Sequence, residues 1–225
     1  MNNASRKKLL KRILVAAALS FAALLVVYAA TRAVSAITKT KTPTRVVDPS
    51  IRFAEPDYEY DIFSDPKYVS KQRNITWSEY GETYLIGEYA DEESSWHGVA
   101  AESVYASFGE EQLFFRNFFV CLIKGDHSAY PSFFSQTFFK NYTLPAEFTS
   151  QKIYDISVEV VDRTPDEQNG GVIARFILRY RIMNNNGTYR GDVASDSVRP
   201  VSVTVSEHDG VLAIESLAYL EGVRR

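Results

Sequence analysis

Ser107–Phe139 reads SFGEEQLFFRNFFVCLIKGDHSAYPSFFSQTFF and holds nine of the chain's 14 phenylalanines. Ser107-Phe108-Gly109-Glu110 has the S-x-x-E form of a capping box, and Glu111 adds a second acid to the first turn. In the run that follows, Gln112, Arg116 and Lys124 fall on one narrow stripe. Leu113, Phe114, Phe115, Phe118, Phe119, Val120, Leu122 and Ile123 cover most of the remaining circumference. A helix apolar over that much of its surface is buried on several sides. It is too short to cross a bilayer and carries Arg116. Gly125-Asp126 ends it in a tight turn, and a second helix is expected from near Ser128, with Pro131 tolerated in its first turn. Tyr130, Phe134 and Phe138 form one face of that helix, Phe133 stands beside them, and Pro145 closes the pair. Aromatic rings supply so much buried area per side chain that these positions read as core rather than as a cofactor box.

Downstream the period changes from helical to two. Ile156, Val158 and Val160 alternate with Asp155, Ser157 and Glu159, and Val172–Met183 places Phe176, Leu178, Tyr180 and Ile182 on one side. Asn184-Asn185-Asn186-Gly187 reads as a hairpin turn, since Asn and Gly tolerate positive φ, with 188–197 as an irregular, partly exposed return arm. Val201, Val203 and Val205 alternate with Ser202, Thr204 and Ser206, and Asp209-Gly210 turns the chain into a last strand to Leu220. Helices followed by a run of strands is an α+β pattern, here a helical pair packed in a curved antiparallel sheet of about four strands with one wet face.

Upstream, Ile13–Ala30 (ILVAAALSFAALLVVYAA) has no charge and follows Arg6, Lys7, Lys8, Lys11 and Arg12. About 18 residues at roughly 1.5 Å each approach the thickness of a bilayer core. The stretch is expected to be a single-pass transmembrane helix. A cleaved export signal ending at Ala36 is the competing reading, and its apolar region is longer than a signal's usual one. Both send the C-terminal part across the membrane, and the dense basic cluster favours a cytoplasmic N-terminus. The chain thus divides into a basic head (1–12), the apolar helix (13–30), a linker with an acidic, Tyr-rich segment (31–98), and an α+β domain (99–225). The acidic segment reads either as a partner-binding arm or as a peripheral layer over the main domain, with a short strand in Thr83–Glu88.

Nine basic residues and no acid precede Asp48, leaving sixteen basic against 28 acidic residues beyond it, a net of −12. So acidic a body repels nucleic-acid phosphates and anionic lipid beyond the tether. Cys121 alone makes no intrachain disulfide, and an anchored bacterial protein facing outward needs none.

The segment Asn117–Phe138 (NFFVCLIKGDHSAYPSFFSQTF), followed by long hairpins, resembles the nuclear-transport-factor-2-like (cystatin-like) cone fold over Ala100–Leu220. A membrane anchor joined to such a cone is similar in layout to the inner-membrane assembly factors of type IV secretion and conjugation machines. The resemblance implies other membrane-complex proteins, or copies of the same chain, as partners. Some members of the cone family are enzymes with an acid and a tyrosine at the cone mouth, which implies a candidate pocket of Tyr105, Phe118, Asp126, His127, Tyr130, Phe134 and Tyr180.

The residues themselves carry no H-E-x-x-H, C-x-x-C, G-x-S-x-G, P-loop or G-x-G-x-x-G pattern. His97, His127 and His208 are spaced as loop residues rather than as metal ligands. An acid beside a histidine at a turn reads first as a helix cap. The expectation is therefore a non-catalytic, extracytoplasmic protein-interaction or assembly subunit without a cofactor. The alternatives are a cone that binds a small apolar ligand and, less favoured, an extracytoplasmic enzyme.

Overall fold

The computed structural model describes residues 41–59, 61–71, 74–86, 95–96, 99–167 and 170–220. The expected span at 13–30, the basic head and His97 lie outside them. No helix among the described residues is long and apolar enough to cross a membrane. The longest of them, Glu110–Lys124, has 15 residues, against the roughly 20 apolar residues a span requires. The expected N-terminal transmembrane helix and single-pass topology find no counterpart among the described residues, and the stretch that would form the helix lies outside them.

The sheet also differs from the antiparallel sheet of about four strands. It has six strands, β2 (Thr76–Glu79), β3 (Glu82–Leu85), β7 (Ile153–Pro165), β8 (Val172–Ile182), β9 (Val201–His208) and β10 (Val211–Tyr219), in the order β10-β9-β8-β7-β2-β3. It is mixed, because β2 runs parallel to β7, with Trp77 opposite Val158. Two short pairings complete the strands among the described residues: β1 (Thr42–Pro43) lies parallel to β6 (Tyr142–Thr143), and β4 (Ser95–Trp96) pairs antiparallel with β5 (Val99–Ala100).

The added hairpin comes from the acidic, Tyr-rich segment. Tyr80 and Gly81, at φ 51° and 85°, make a two-residue turn that brings Glu79 opposite Glu82. Positive φ at both central residues is the turn whose twist matches paired strands. The same segment supplies core: Ile62, Tyr68, Ile75, Trp77 and Ile86 are buried. The Tyr68 hydroxyl donates to the Ile153 carbonyl at 3.1 Å, and the Trp77 ring packs against Phe115 and Phe176.

The four helices among the described residues are α1 (Pro66–Val69), α2 (Glu102–Ala106), α3 (Glu110–Lys124) and α4 (Gln136–Asn141), with 3-10 turns at Ile62–Ser64 and Tyr130–Phe133. Ser107 caps no N-terminus. It closes α2, its hydroxyl donating to the Val104 carbonyl, and α3 starts from Gly109 without a side-chain cap. The polar stripe of α3 is not wet along its length, since Gln112 and Arg116 are buried.

Gly125 ends α3 at φ 71°. A Cβ there would strike the backbone at Thr149 and Ser150, so the turn requires glycine for its close approach as well as its conformation. The second helix is broken in two. Pro131 opens the 3-10 turn, and α4 begins afresh at Ser135, whose Oγ accepts the Phe138 N–H at 3.0 Å.

β7 to β10 follow their alternation closely. Phe176, Leu178, Tyr180 and Ile182 of β8 and Val201, Val203 and Val205 of β9 all face the core. Register shifts at Tyr154/Ser157 and Val160/Asp162 mark bulges in β7. The first lets Ile153 and Ile156 both point inward despite their odd spacing, and bulges bend the strand that holds them. On the outer face, Asp155, Glu159 and Asp162 of β7 pair with Arg181, Arg179 and Arg175 of β8 at 2.6–3.0 Å. Such exposed pairs contribute roughly 0–1 kcal/mol each. A buried Phe or Leu contributes roughly 1.5–3 kcal/mol, so the packed rings, not the ion-pair ladder, hold the sheet.

Candidate functional site

The structure puts the predicted pocket residues in two different environments. Tyr105, Phe118, Tyr130, Phe134 and Tyr180 are buried in the core. Phe118 and Phe134 lie 5.8 and 4.9 Å, centroid to centroid, from Tyr130, and Tyr180 stacks edge-on against Phe119. The Tyr105 hydroxyl accepts the Ile75 N–H at 3.2 Å, and burial pushes its pKa up to about 12. Asp126 and His127 are exposed at the turn after α3. The Asp126 carboxylate accepts the Ser128 hydroxyl at 2.7 Å and the Ala129 N–H at 3.0 Å. These two bonds, the hydroxyl's first, hold its pKa below the ordinary carboxylate value. It is a cap. His127 rests edge-on against Phe148 and does not join the tyrosines.

The buried chemistry lies elsewhere, in residues 183–200 between β8 and β9. The expected hairpin at Asn184–Gly187 is absent, because β8 pairs next with β9, and the return arm expected to be irregular and partly exposed is buried over 188–193 and exposed over 194–197. Asn185 organises it. Its Nδ2 donates to the carbonyls of Arg190 (2.8 Å) and Val193 (2.7 Å), and its Oδ1 accepts the Gly187 N–H at 3.0 Å.

Arg190 Nε and Nη2 donate to the two carboxylate oxygens of Asp192 at 2.6 and 2.7 Å. Arg190 Nη1 donates to the Tyr180 hydroxyl at 2.9 Å, and its guanidinium lies 4.4 Å from the Tyr219 ring centroid. Burial alone disfavours the charged guanidinium, but Tyr180 and the Asp192 carboxylate more than offset it and keep Arg190 charged. Tyr130 and Tyr189 approach hydroxyl to hydroxyl at 3.4 Å beside this group, and burial drives both pKa values well up.

Residues 44–54 run over this loop. The Asp48 N–H donates to the Gly191 carbonyl and the Ala54 N–H to the Asn185 carbonyl. A Cβ on Gly191 would come within 3.0 Å of Val47 Cγ2 and 3.1 Å of the Val46 carbonyl oxygen.

Beyond that crossing the loop forms one wall of a cleft of about 220 Å³. Ile62, Ile182 and Met183 supply apolar lining, Glu55 and Asp57 supply carboxylates, and Gln151, Asn184 and Asn186 supply amides. Lys152 also lines it, its ammonium held by Asp65 at 2.6 Å. No group of three or more His, Cys, Asp or Glu among the described residues is arranged to hold a metal ion.

A second surface sits at the other end of the sheet order. Tyr84 of β3 stacks on Phe108, ring planes 17° apart and centroids 6.0 Å apart, yet the two are 37% and 47% exposed. Tyr80, at the tip of the same hairpin, is 87% exposed. Between α3 and the β9–β10 turn lies a further groove of about 270 Å³ lined by Leu113, Phe114, Val211 and Leu212.

Residue order alone did not reveal Arg190, Asp192, Asn185 or the cleft. The one available signal was an Arg and an Asp two apart within a Gly-Thr-Tyr run, which reads equally well as a wet loop.

What the fold and these surfaces define is an α+β domain with a six-stranded mixed sheet, a buried Arg–Asp loop and exposed aromatic positions. The sequence matches no family model, no curated protein and no solved structure.

Proposed function

We propose that the chain is a non-catalytic protein-interaction or assembly subunit that docks other proteins, or copies of itself, through its outward domain. The observation that carries this reading is the exposed Tyr84–Phe108 stack, with exposed Tyr80 at the tip of the same hairpin. Aromatic side chains are enriched where protein surfaces meet, because they offer large rigid contact area at low entropic cost. Rings left half in water at the edge of a sheet fit that use.

We carry the resemblance to a cone-fold assembly factor of a secretion or conjugation complex as part of the proposal, and the packing of α3 against both β7 and β10 supports it. The placement of the domain outside the cytoplasm is proposed from the order of residues 1–36, where both readings of the apolar stretch lead across a membrane. Five of the aromatics named for a ligand pocket are packed against core neighbours, which supports docking over capture of a small apolar molecule.

The test is native electrophoresis of the full chain gently extracted from its host. The expected result is a species larger than the monomer that is lost in Tyr84→Ser/Phe108→Ser while the thermal midpoint changes little. A lone monomer in the unsubstituted protein would refute the reading.

A further inference from the structure

The cleft beside residues 183–200 has a composition that selects one kind of occupant. Its volume of about 220 Å³ is below the roughly 300–1,000 Å³ of pockets that hold drug-sized ligands or cofactors. It is sized for a single long side chain. The apolar lining of Ile62, Ile182 and Met183 suits an aliphatic stem, and the carboxylates of Glu55 and Asp57 suit a positive tip. Glu55, Asp57, Glu59 and Asp61 lie along one exposed stretch and form no ion pair with any described residue. The one cation in the lining, Lys152, is neutralised by Asp65.

A second, independent feature points the same way. Gln151 lines the cleft, is 1% exposed, and its Oε1 has no hydrogen-bond partner. The amide is oriented by its other end. Nε2 donates to the Thr149 carbonyl at 2.8 Å and to Thr188 Oγ1 at 3.1 Å. A carbonyl can only accept, so the amide cannot be reversed, and the oxygen is left as an unmatched acceptor in the wall. An orphaned buried acceptor costs roughly 1–3 kcal/mol. Less than 1 Å² of that oxygen is accessible, so a donor relieves it only as the wall yields to an incoming side chain.

We propose that this cleft receives a lysine or arginine side chain from a basic segment of a partner protein. The inference rests on the interaction role above and names the partner's chemistry at a surface separate from the Tyr84–Phe108 stack. The stem lies along Ile62, Ile182 and Met183, the charge sits among Glu55, Asp57 and the amide oxygens, and the acidic stretch to Asp61 attracts neighbouring basic residues.

The test uses the purified full chain and two fluorescein-labelled peptides, one alternating Lys-Ala and one alternating Glu-Ala, with binding read by fluorescence anisotropy at low and moderate salt. The Lys-Ala peptide is expected to bind and the Glu-Ala peptide not to bind. Glu55→Gln/Asp57→Asn is expected to weaken the Lys-Ala peptide by about fivefold or more. Glu207→Gln/Asp209→Asn removes the same charge at the β9–β10 turn and is expected to change binding less than about twofold. Equal losses in the two double variants would reduce the effect to net charge and overturn the cleft. So would no binding of the Lys-Ala peptide. If that failure comes while native gels still show assembly dependent on Tyr84 and Phe108, the cleft inference falls and the interaction role stands.

Discussion

Arg190 and Asp192 face each other across two charge-assisted hydrogen bonds of 2.6 and 2.7 Å, with both side chains 1% exposed. Removing one member of a buried pair strands the other charge and typically costs about 3–5 kcal/mol, whereas replacing both by apolar groups is often close to neutral. Arg199 also approaches Asp192, at 3.3 Å, and softens the loss of Arg190. Arg190→Met is therefore expected to cost about 3 kcal/mol, and Arg190→Met/Asp192→Leu less than the single substitution. Urea unfolding of the three proteins checks both statements. A double variant worse than the single one would mean that the pair contributes net stability beyond avoiding an unpaired charge.

Asn185 presents two N–H bonds to the carbonyls of Arg190 and Val193. Asn185→Asp keeps the shape but turns a donor into an acceptor facing two other acceptors, leaving carbonyls unsatisfied as well as burying a charge. The aspartate is expected to unfold at lower urea than Asn185→Ala, which leaves only the missing bonds. The reverse order would show that the loop does not depend on this amide.

Gly125 and Gly81 both have φ in the left-handed region, at 71° and 85°, but only Gly125 faces another backbone segment. A left-handed non-glycine residue costs about 1–2 kcal/mol, and overpacking adds about 1–3 kcal/mol. Gly81→Ala is expected to cost only the first, and Gly125→Ala about 2–5 kcal/mol in total. Comparable costs at the two sites would contradict the close approach of α3's end to Thr149–Ser150.

Acid stability carries a sign that two hydrogen-bonded carboxylates fix. Asp126, through the Ser128 hydroxyl and the Ala129 N–H, and Asp65, through Lys152, both have pKa values held below the ordinary one. The stability they contribute is present above the unfolded value of about 3.9 and is lost as pH falls through their lower folded values. The thermal midpoint should drop on acidification below about pH 4, and Asp126→Asn should flatten part of that drop. A variant with an unchanged acid profile would show that the Asp126 turn does not couple to folding.

These residues also show what the sequence made legible. The alternation of Val201, Val203 and Val205, the inward run Phe176 to Ile182 and the Asp209-Gly210 turn gave β8 to β10 because each strand buries one face only. Gly125 marked the end of α3 for the same conformational reason seen in the structure. β2 escaped notice because its four residues offer only Trp77 as an inward signal, too little for a period, and its partner β7 lies far along the chain. The parallel pairing followed from neither. Ser107 misled because a capping box and a C-terminal serine look alike in sequence, and Gly109 took the cap position.

The loop 183–200 was hidden for a deeper reason. Its Asn, Thr, Gly, Arg and Asp residues read as wet, yet they satisfy one another and are sealed by residues 44–54, an arrangement that no local pattern encodes. The cleft was equally invisible, since it joins residues 54–57, 150–152 and 182–186 only after folding.

The interaction role requires another protein to dock on the hairpin surface around Tyr84 and Phe108. Its most direct test is photo-crosslinking in the living host, with a benzoylphenylalanine placed at position 80 and, as a control of equal exposure chemistry, at position 207. A discrete crosslinked product, to a second protein or to a second copy, is expected from position 80 and none from position 207. No product from position 80, or the same product from both positions, would contradict it.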